Sequence, residues 1–438
     1  MAVTPDSFLT ILIRIRHIRF LPADRLRNTA ERKAPSFKNG KSAAAKGGKV
    51  SVFRPPKKGE NWGMKGIYLD ANASTPIDPK VAAAMRPFLE GEFGNPSSGH
   101  WASAAAKAAL EDARRKVAAT LGAKSEEIVF TSGGSEANNL ALKGTFFALR
   151  RDSAHIITTA VEHPSILAPC GFLERIGARI SILPVDRLGR VDPEEVRRAI
   201  TPATILISVM HANNEVGTIE PIAEIGAIAR EHGIRFHTDA AQSVGKIPTS
   251  VGALGVDLLT VAGHKLYAPK GVGALFVRRG VALEPLIHGA GHEQGLRAGT
   301  ESALLALALG VASELAQDLR PMDRIRALRD RFWRELQRRF GDRVVQNGDP
   351  HHRLPNTLNV SFAGRVGAEI LERLDGVAAS TGSACHAGRI EPSPVLKAMG
   401  VACDIAKGAI RFSLGRQTSE EEIDGVVEAL TGVLLGAG

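Results

Sequence analysis

The 438-residue sequence contains only three cysteines and no long uninterrupted hydrophobic run. Cys170, Cys385 and Cys403 lie far apart and lack C-x-x-C spacing, so neither a disulfide framework nor a structural zinc site is indicated. No apolar stretch approaches the roughly 18 residues that a membrane-spanning helix requires. The odd number of thiols raises the question of whether one is reactive, and it favours a cytoplasmic location over an oxidising compartment.

The net charge of +10 is confined to one end of the chain. Residues 1–63 carry 14 Lys and Arg against 4 Asp and Glu, whereas the remaining residues carry 42 of each sign. The body of the protein therefore has no basic bias, which disfavours nucleic-acid binding as its main function. We interpret residues 1–63 as a disordered or spurious extension, because strand-like order begins abruptly in "MKGIYLDANASTP". A basic transit peptide is the alternative interpretation.

From about residue 80, short apolar segments alternate with helical patterns, which predicts an α/β fold with a mainly parallel sheet covered by helices. Residues 79–322 are predicted to form a large cofactor-binding domain, and residues 64–78 and 323–438 a smaller α+β domain. The predicted strands of the large domain are 127–132, 155–160, 204–210, 234–239, 258–262 and 273–279.

The chain after residue 323 shifts to long charged helices. One of them carries many arginines, which could be read as an RNA-binding stripe. Its apolar residues Leu328, Phe332, Leu336 and Phe340 recur at helical spacing, so we predict an amphipathic helix that packs on the protein core.

Polar residues follow five successive strands, and in open parallel sheets ligands bind beyond the carboxyl ends of the strands. The segment "TSGGSEANN" places Gly133, Gly134 and Ser135 at a strand-to-helix turn, where free backbone N–H groups suit a phosphate. Its glycine spacing is that of neither a nucleoside-triphosphate loop nor a dinucleotide fingerprint. The sequence therefore predicts a phosphorylated ligand of another kind.

Lys265 follows the strand 258–262 within "GHK". A lone lysine at a strand end is usually solvated, but here it accompanies the phosphate cradle, Asp239 and a strand-end histidine. Together these residues predict pyridoxal 5'-phosphate. Lys265 would form the Schiff base, Asp239 would pair with the ring nitrogen, His163 would stack on the ring, and Gln242 would donate to the phenolic oxygen.

Ten segments of the chain are similar, in sequence and in order, to those of a known enzyme family. They are "YLDANASTP", "GNPSSGH", "FTSGGSEANNLALKG", "EHPSIL", "HANNEVGTI", "HTDAAQSVGK", "GHKLYAPKGVGALFVRR", "RAGTES", "TGSACHAGRIEPSPVLKAMG" and "AIRFSLGR". This set, which runs from about Tyr68 to about Asp424, resembles the cysteine desulfurases. Those enzymes belong to the class V aminotransferases and have the type I fold of pyridoxal-phosphate enzymes.

The resemblance implies further roles around the cofactor. Gly134 and Ser135 would hold the phosphate with His264 nearby, and Asn214 would join Gln242 beside the phenolate. Thr300 would reach the phosphate bound by the neighbouring subunit, which implies a homodimer.

On the substrate side, the resemblance implies that Arg411 clamps the carboxylate of L-cysteine and that Asn72 lies close to it. His163 would also shuttle protons. Cys385 would be the reactive thiol: it would attack the sulfur of L-cysteine, become a persulfide and leave L-alanine. The persulfide sulfur would then pass to an acceptor protein for iron–sulfur cluster assembly or thiolation.

Cys385 is followed by His386, a pair that also resembles selenocysteine lyases. However, Pro164 stands where those lyases carry an aspartate, so cysteine desulfurase is the first prediction and selenocysteine lyase the second. Another class V aminotransferase or lyase would leave Cys385 without a role. We predict no dedicated metal site, because adjacent side chains converge poorly on one ion, and cluster contact at Cys385 would be transient.

Overall fold

The computed structural model describes residues 66–149, 153–382, 384–386 and 389–436, with the backbone alone for 384–386 and 389–391. Its strands are β1 (Ile67–Tyr68), β2 (Ile128–Thr131), β3 (His155–Thr159), β4 (Arg179–Leu183), β5 (Thr204–Ser208), β6 (Arg235–Asp239), β7 (Leu258–Ala262), β8 (Gly273–Val277), β9 (Val344–Asn347), β10 (Thr357–Phe362), β11 (Val377–Ala378), β12 (Ala384–His386), β13 (Arg389–Glu391) and β14 (Ala409–Ser413). Its α-helices are α1 (Pro79–Glu90), α2 (Ala104–Leu121), α3 (Gly134–Asn139), α4 (Thr145–Ala148), α5 (Pro164–Arg175), α6 (Pro193–Ala199), α7 (Ile222–Glu231), α8 (Val251–Leu254), α9 (Ala303–Ala316), α10 (Pro321–Phe340), α11 (Gly367–Arg373), α12 (Pro394–Ala398), α13 (Cys403–Ala406) and α14 (Glu420–Leu435).

A seven-stranded sheet forms the centre of the fold, in the order β2-β8-β7-β6-β5-β3-β4. Within it β8 alone runs antiparallel to its neighbours, and the other pairs are parallel. Side chains alternate between the two faces of a strand, and successive residues of β7 and β8 accordingly join two different hydrophobic clusters. Burial on both faces explains why these strands read as continuous apolar runs. The predicted α/β fold with a mainly parallel sheet is confirmed.

All six predicted strands are present, each within two residues of its predicted ends. The strand β4 was not predicted. It lies at one edge of the sheet, and its exposed, half-buried and buried side chains follow no regular alternation. The helix α2 ends at Leu121, and the following Gly122 takes the left-handed conformation (φ 64°) that a C-terminal glycine tolerates.

A second sheet of three antiparallel strands, β14-β10-β9, is built from the C-terminal part of the chain. Helices α10 and α14 supply side chains to its hydrophobic cluster, which includes Leu328, Phe332, Leu336 and Phe340. The predicted packing face of α10 is therefore confirmed. Leu69 belongs to the same cluster, so the beginning and the end of the described chain share one core.

Met64–Gly438 form one compact unit, so the boundary between the two predicted domains near residue 323 stays a prediction. The interpretation of residues 1–63 lies outside the described residues. Among the described helices, none combines the length and the apolarity needed to cross a bilayer.

Candidate active site

A cavity of about 600 Å³ opens beyond the carboxyl ends of β5, β6 and β7. Its lining includes most of the predicted site residues: Asn72, Gly134, Ser135, His163, Asn214, Asp239, Gln242, His264, Lys265 and Arg411. The strands end at this edge because the sheet is parallel here, so the polar residues that follow each strand converge. These predicted site residues therefore border one continuous space. Thr300 and Cys385 are the two predicted residues that are not among those lining it.

Lys265 closes a short 3-10 turn directly after β7 and points into the cavity. Its Nζ donates to the backbone carbonyls of Asn72 at 2.5 Å and Ala73 at 2.8 Å. Burial, followed by the nearby Arg411 guanidinium, lowers the pKa of Lys265 to about 8. A useful fraction of this amine is therefore neutral and nucleophilic near neutral pH.

Asp239 ends β6 and is held by two donors. Asn138 Nδ2 donates to its Oδ2 at 2.7 Å, and the backbone N–H of Ala241 donates to its Oδ1 at 2.9 Å. The same Asn138 Nδ2 group also lies 2.8 Å from Ser165 Oγ. These contacts fix the carboxylate in a nearly dry position, where it can pair with a cationic ring nitrogen.

His163 caps the N-terminus of α5. Its Nδ1 accepts from the backbone N–H of Ser165 at 3.1 Å, so Nε2 is the nitrogen left to face other groups. Burial lowers the pKa of His163 and outweighs the attraction of Asp239. We group Asn138, His163, Asp239 and Lys265 as the sheet wall of the cavity, because each lies at or beside the carboxyl edge of the seven-stranded sheet.

The predicted phosphate cradle lies where β2 passes into α3. Gly133 has a φ of 149°, and a Cβ added to Gly134 would come within 3.2 Å of the Cβ of Ala262. Because glycine has no side chain, the backbone at these two positions stays accessible to an approaching group. His264 and Lys270 also line the cavity, and burial together with the charges of Lys265 and Lys270 lowers the pKa of His264 to about 4.

Asn72 and Arg411 line another part of the cavity, and we group them with Asp70, which holds Arg411, as the terminal wall. Arg411 lies on β14, and its Nη2 donates to Asp70 Oδ1 at 2.7 Å while its Nη1 donates to the backbone carbonyl of Asn214 at 3.0 Å. The third donor, Nε of Arg411, is buried and has no hydrogen-bond partner among the described residues. A carboxylate entering the cavity would meet a guanidinium that is already oriented.

Asn72 connects the two walls, because its backbone carbonyl accepts from Lys265 Nζ while its side chain bonds to residues from distant parts of the chain. Its Nδ2 donates to Thr357 Oγ1 at 2.8 Å and to the carbonyl of Asn214 at 3.1 Å. Its Oδ1 accepts from Asn356 Nδ2 at 3.0 Å and from Lys246 Nζ at 3.1 Å. Asn72 is 1% exposed, so its amide orientation is fully determined by these partners.

Thr300 does not line the main cavity. It lies in a neighbouring cavity of about 260 Å³, which shares Ser132 and Gly271 with the first. The side chain of Cys385 is outside the described residues, and only its backbone pairing with Ile390 is defined.

Three functional residues escaped the sequence analysis. Asp70, Asn138 and Lys246 each bond to a predicted site residue. Asp70 and Lys246 fall inside quoted motifs, "YLDANASTP" and "HTDAAQSVGK", and Asn138 is the first of the two asparagines in the cradle motif "TSGGSEANN". A motif marks such positions but does not reveal their partners, which are up to 341 residues away.

The donor set fits pyridoxal phosphate. The cavity combines an amine of lowered pKa, a fixed carboxylate, a glycine cradle with cationic neighbours, and a histidine beside the ring site. Ala262, the last residue of β7, also lines this space. Among the described residues, no group of three or more His, Cys, Asp or Glu could hold a metal ion.

Comparison with known proteins identifies the family. The model of the family described as "Aminotransferase class-V" matches residues 67–426. Cysteine desulfurase IscS from Dictyoglomus turgidum is 50% identical over 372 residues, covering 84% of this chain and 94% of the relative. The chain therefore belongs to the class-V aminotransferase family.

A solved structure described as a NifS-like protein has a TM-score of 0.80 and 36% identity, covering 85% of this chain and all of that one. A second, SspA in complex with cysteine, has a TM-score of 0.73 and 39% identity, covering 81% of this chain and all of that one. Within its family, this chain is a cysteine desulfurase. These relatives give no support to the alternative prediction of a selenocysteine lyase.

Proposed function

We propose that this cysteine desulfurase binds pyridoxal 5'-phosphate through Lys265, converts L-cysteine to L-alanine, and takes the sulfur onto Cys385 as a persulfide. The observation that supports this most strongly is the environment of Lys265. Its amine has a pKa of about 8 and lies in the same cavity as the fixed carboxylate of Asp239 and the oriented guanidinium of Arg411.

The cofactor would be held at four places. Gly134, Ser135 and neutral His264 would bind its phosphate, and Asp239 would bind the ring nitrogen. Asn214 and Gln242 would face the phenolate oxygen, while His163 would pack on the ring. When bound, the cofactor supplies an electron sink for the charge left as the α-proton of the substrate departs.

Proton handling falls to Lys265 and His163. In the proposed reaction Lys265, whose pKa is lowered, would be the base that takes the α-proton. The pKa of His163 is also lowered by burial, so the ring is neutral. Because Nδ1 accepts from the backbone N–H of Ser165, the ring proton lies on Nε2, which can donate it. Substrate orientation falls to Arg411, which lines the cavity and whose guanidinium is held by Asp70 and by the carbonyl of Asn214.

Sulfur transfer to Cys385 balances without any outside reagent. The Cys385 thiolate attacks the sulfur of L-cysteine, the C–S bond breaks, and its electron pair passes to the carbon skeleton, which takes up a proton to become L-alanine. The other two cysteines suit this task less well. Burial raises the pKa of Cys170 to about 12, and Cys403, at the start of helix α13, is not among the residues that line the cavity.

The persulfide would then pass to an acceptor protein in the cytoplasm, with any iron–sulfur contact at Cys385 being transient. We also propose a homodimer in which Thr300 reaches the phosphate site of the partner subunit. Two features support the dimer: Thr300 lies across the shared Ser132 from the main cavity, and Phe93 and Trp101 are 85% and 87% exposed in the single chain.

Co-expression tests the role of Thr300 across subunits. A chain with Thr300→Val and a chain with Lys265→Ala are each expected to be weak or inactive alone. In a mixed dimer, one of the two sites would receive Lys265 from the first chain and Thr300 from the second, and activity would return. A Thr300 that serves its own subunit would give no such recovery.

Replacing Cys385 tests the sulfur step. With pyridoxal phosphate added, the Cys385→Ala variant should keep the cofactor's visible absorbance but form no persulfide and no alanine from L-cysteine. Cys403→Ala is the matched control and should behave as the wild type. Undiminished alanine formation by Cys385→Ala would contradict the proposal, and loss of cysteine turnover with retained selenocysteine cleavage would favour a selenocysteine lyase.

A further inference from the structure

Lys246 is a buried lysine directly behind the cavity, in the turn that follows β6. It is 8% exposed, and its Nζ donates to Gln242 Oε1 at 2.8 Å and to Asn72 Oδ1 at 3.1 Å. Neither acceptor is a carboxylate. The charged groups that act on it are Lys265 and Arg411, and with burial they hold its pKa well below the usual range.

The contacts of Lys246 restrict how two amide groups can lie. In the structure Lys246 Nζ donates to the side-chain oxygen of both amides, so each amide has its oxygen toward Lys246 and its nitrogen away. The orientation of the Asn72 amide is also fixed by a second donor, because Asn356 Nδ2 donates to the same oxygen at 3.0 Å. For Gln242, Lys246 is the donor recorded at Oε1 among the described residues.

Gln242 uses its other end inside the site. Its Nε2 donates to the backbone carbonyl of Asn72 at 3.0 Å, the carbonyl that also accepts from Lys265 Nζ. Gln242 lines the cavity. The orientation of its side-chain amide therefore decides whether an N–H donor or a carbonyl oxygen faces a bound ligand. An anionic oxygen is stabilised by the donor and repelled by the carbonyl.

We propose that Lys246 is a positioning residue, which holds the Gln242 amide with its nitrogen toward the cavity and so toward the phenolate oxygen of the cofactor. This inference rests on the proposed function, in which Gln242 serves that oxygen. Without Lys246 the amide can rotate and present Oε1 instead. Lys246 then acts on the cofactor only through Gln242, and on the substrate side through Asn72.

The test uses Lys246→Met, which keeps most of the side-chain volume and removes the donor. The purified enzyme is loaded with pyridoxal phosphate, and its visible absorbance is titrated with pH. Loss of a donor to the phenolate should raise the midpoint of this titration by about one pH unit. We also expect kcat/KM to fall about tenfold with the cofactor retained. The control is Lys107→Met, an exposed lysine on α2.

A double variant separates positioning from a merely structural role. If Lys246 acts through Gln242, Lys246→Met should shift the midpoint in the wild-type background but not further in Gln242→Leu. Additive shifts would overturn the inference. Should Lys246→Met fail to fold in a thermal melt, Lys246→Gln is used instead, because an amide there can donate or accept and imposes no single orientation; an unchanged midpoint in it would also overturn the inference.

The same titration distinguishes this inference from the proposed function. A wild-type enzyme that gains no visible band with pyridoxal phosphate would refute the proposed function itself. A wild-type enzyme with a normal band, together with a Lys246→Met variant that titrates at the same pH, would refute the role of Lys246 alone.

Discussion

The sheet wall and the terminal wall of the cavity are built in different ways. In the sheet wall, Asp239 and Lys265 follow adjacent parallel strands, so the regular geometry of the sheet places them. In the terminal wall, Arg411 reaches Asp70 across 341 residues of sequence, through a backbone bridge between Asp70 and Ser413. In the proposed function, the regular framework would therefore hold the cofactor, and a contact between the early and late parts of the described chain would recognise L-cysteine.

Because the two walls are built differently, we expect mutations to separate cofactor binding from L-cysteine binding. Changes in the sheet wall should affect cofactor binding or the chemical step. Changes in the terminal wall should affect L-cysteine binding and leave the cofactor in place, because none of Asp70, Asn72 and Arg411 is a predicted cofactor ligand. The following predictions test that separation.

The largest effect is expected for Lys265→Ala. Removing the amine takes away both the cofactor link and the base for the α-proton, so alanine formation should fall by at least about 10²–10⁴-fold. The measurement is alanine released from L-cysteine by enzyme incubated with excess pyridoxal phosphate. Substantial turnover by this variant would mean that another residue carries the chemistry.

For the terminal wall, Arg411→Met should lower kcat/KM for L-cysteine about 10- to 100-fold, since a hydrogen bond to a charged group contributes about 1.5–3 kcal/mol. The effect should appear mainly in KM, and the absorbance of the bound cofactor should not change. Arg365→Met, at an exposed arginine, is the control. A cofactor lost from Arg411→Met would show that the two walls do not act separately.

Asn138→Ala should have a smaller effect in the sheet wall. The variant removes the donor to Asp239 Oδ2, so the carboxylate is held less firmly and pyridoxal phosphate should bind about tenfold more weakly. Equilibrium titration with the cofactor measures this change. If instead KM for L-cysteine rises while cofactor affinity stays the same, the assignment of Asn138 to cofactor support is wrong.

The smallest effect concerns pH. Capture of the cofactor requires the neutral amine of Lys265, and a lowered pKa of about 8 means that this form increases about fivefold from pH 7 to pH 8 and less than about twofold above it. Stopped-flow mixing of apoenzyme with pyridoxal phosphate measures the rate. A rate that keeps rising tenfold per pH unit up to pH 10 would indicate an ordinary exposed lysine.

Much of the sheet wall could be predicted because its residues follow recognisable apolar strands. Asp239, Lys265 and the cradle at Gly134 were found in this way, and the structure brings them to one cavity. The edge strand β4 was missed because its side chains show no clean alternation.

The remaining contacts depend on distances that no local pattern encodes. Lys246 bonds to Asn72 across 174 residues, and Asp70 to Arg411 across 341, so only the folded chain reveals the pairs. Thr300 is a different case. Its proposed role needs a second chain, and a single chain places it in the neighbouring cavity.

The central claim is that one particular lysine carries the cofactor, and chemical trapping tests it most directly. The enzyme is incubated with pyridoxal phosphate, treated with borohydride to make any lysine–cofactor link permanent, digested and mapped by mass spectrometry. We expect a pyridoxyl group on Lys265. An adduct on Lys246 or Lys270 in its place, or none at all, would contradict it.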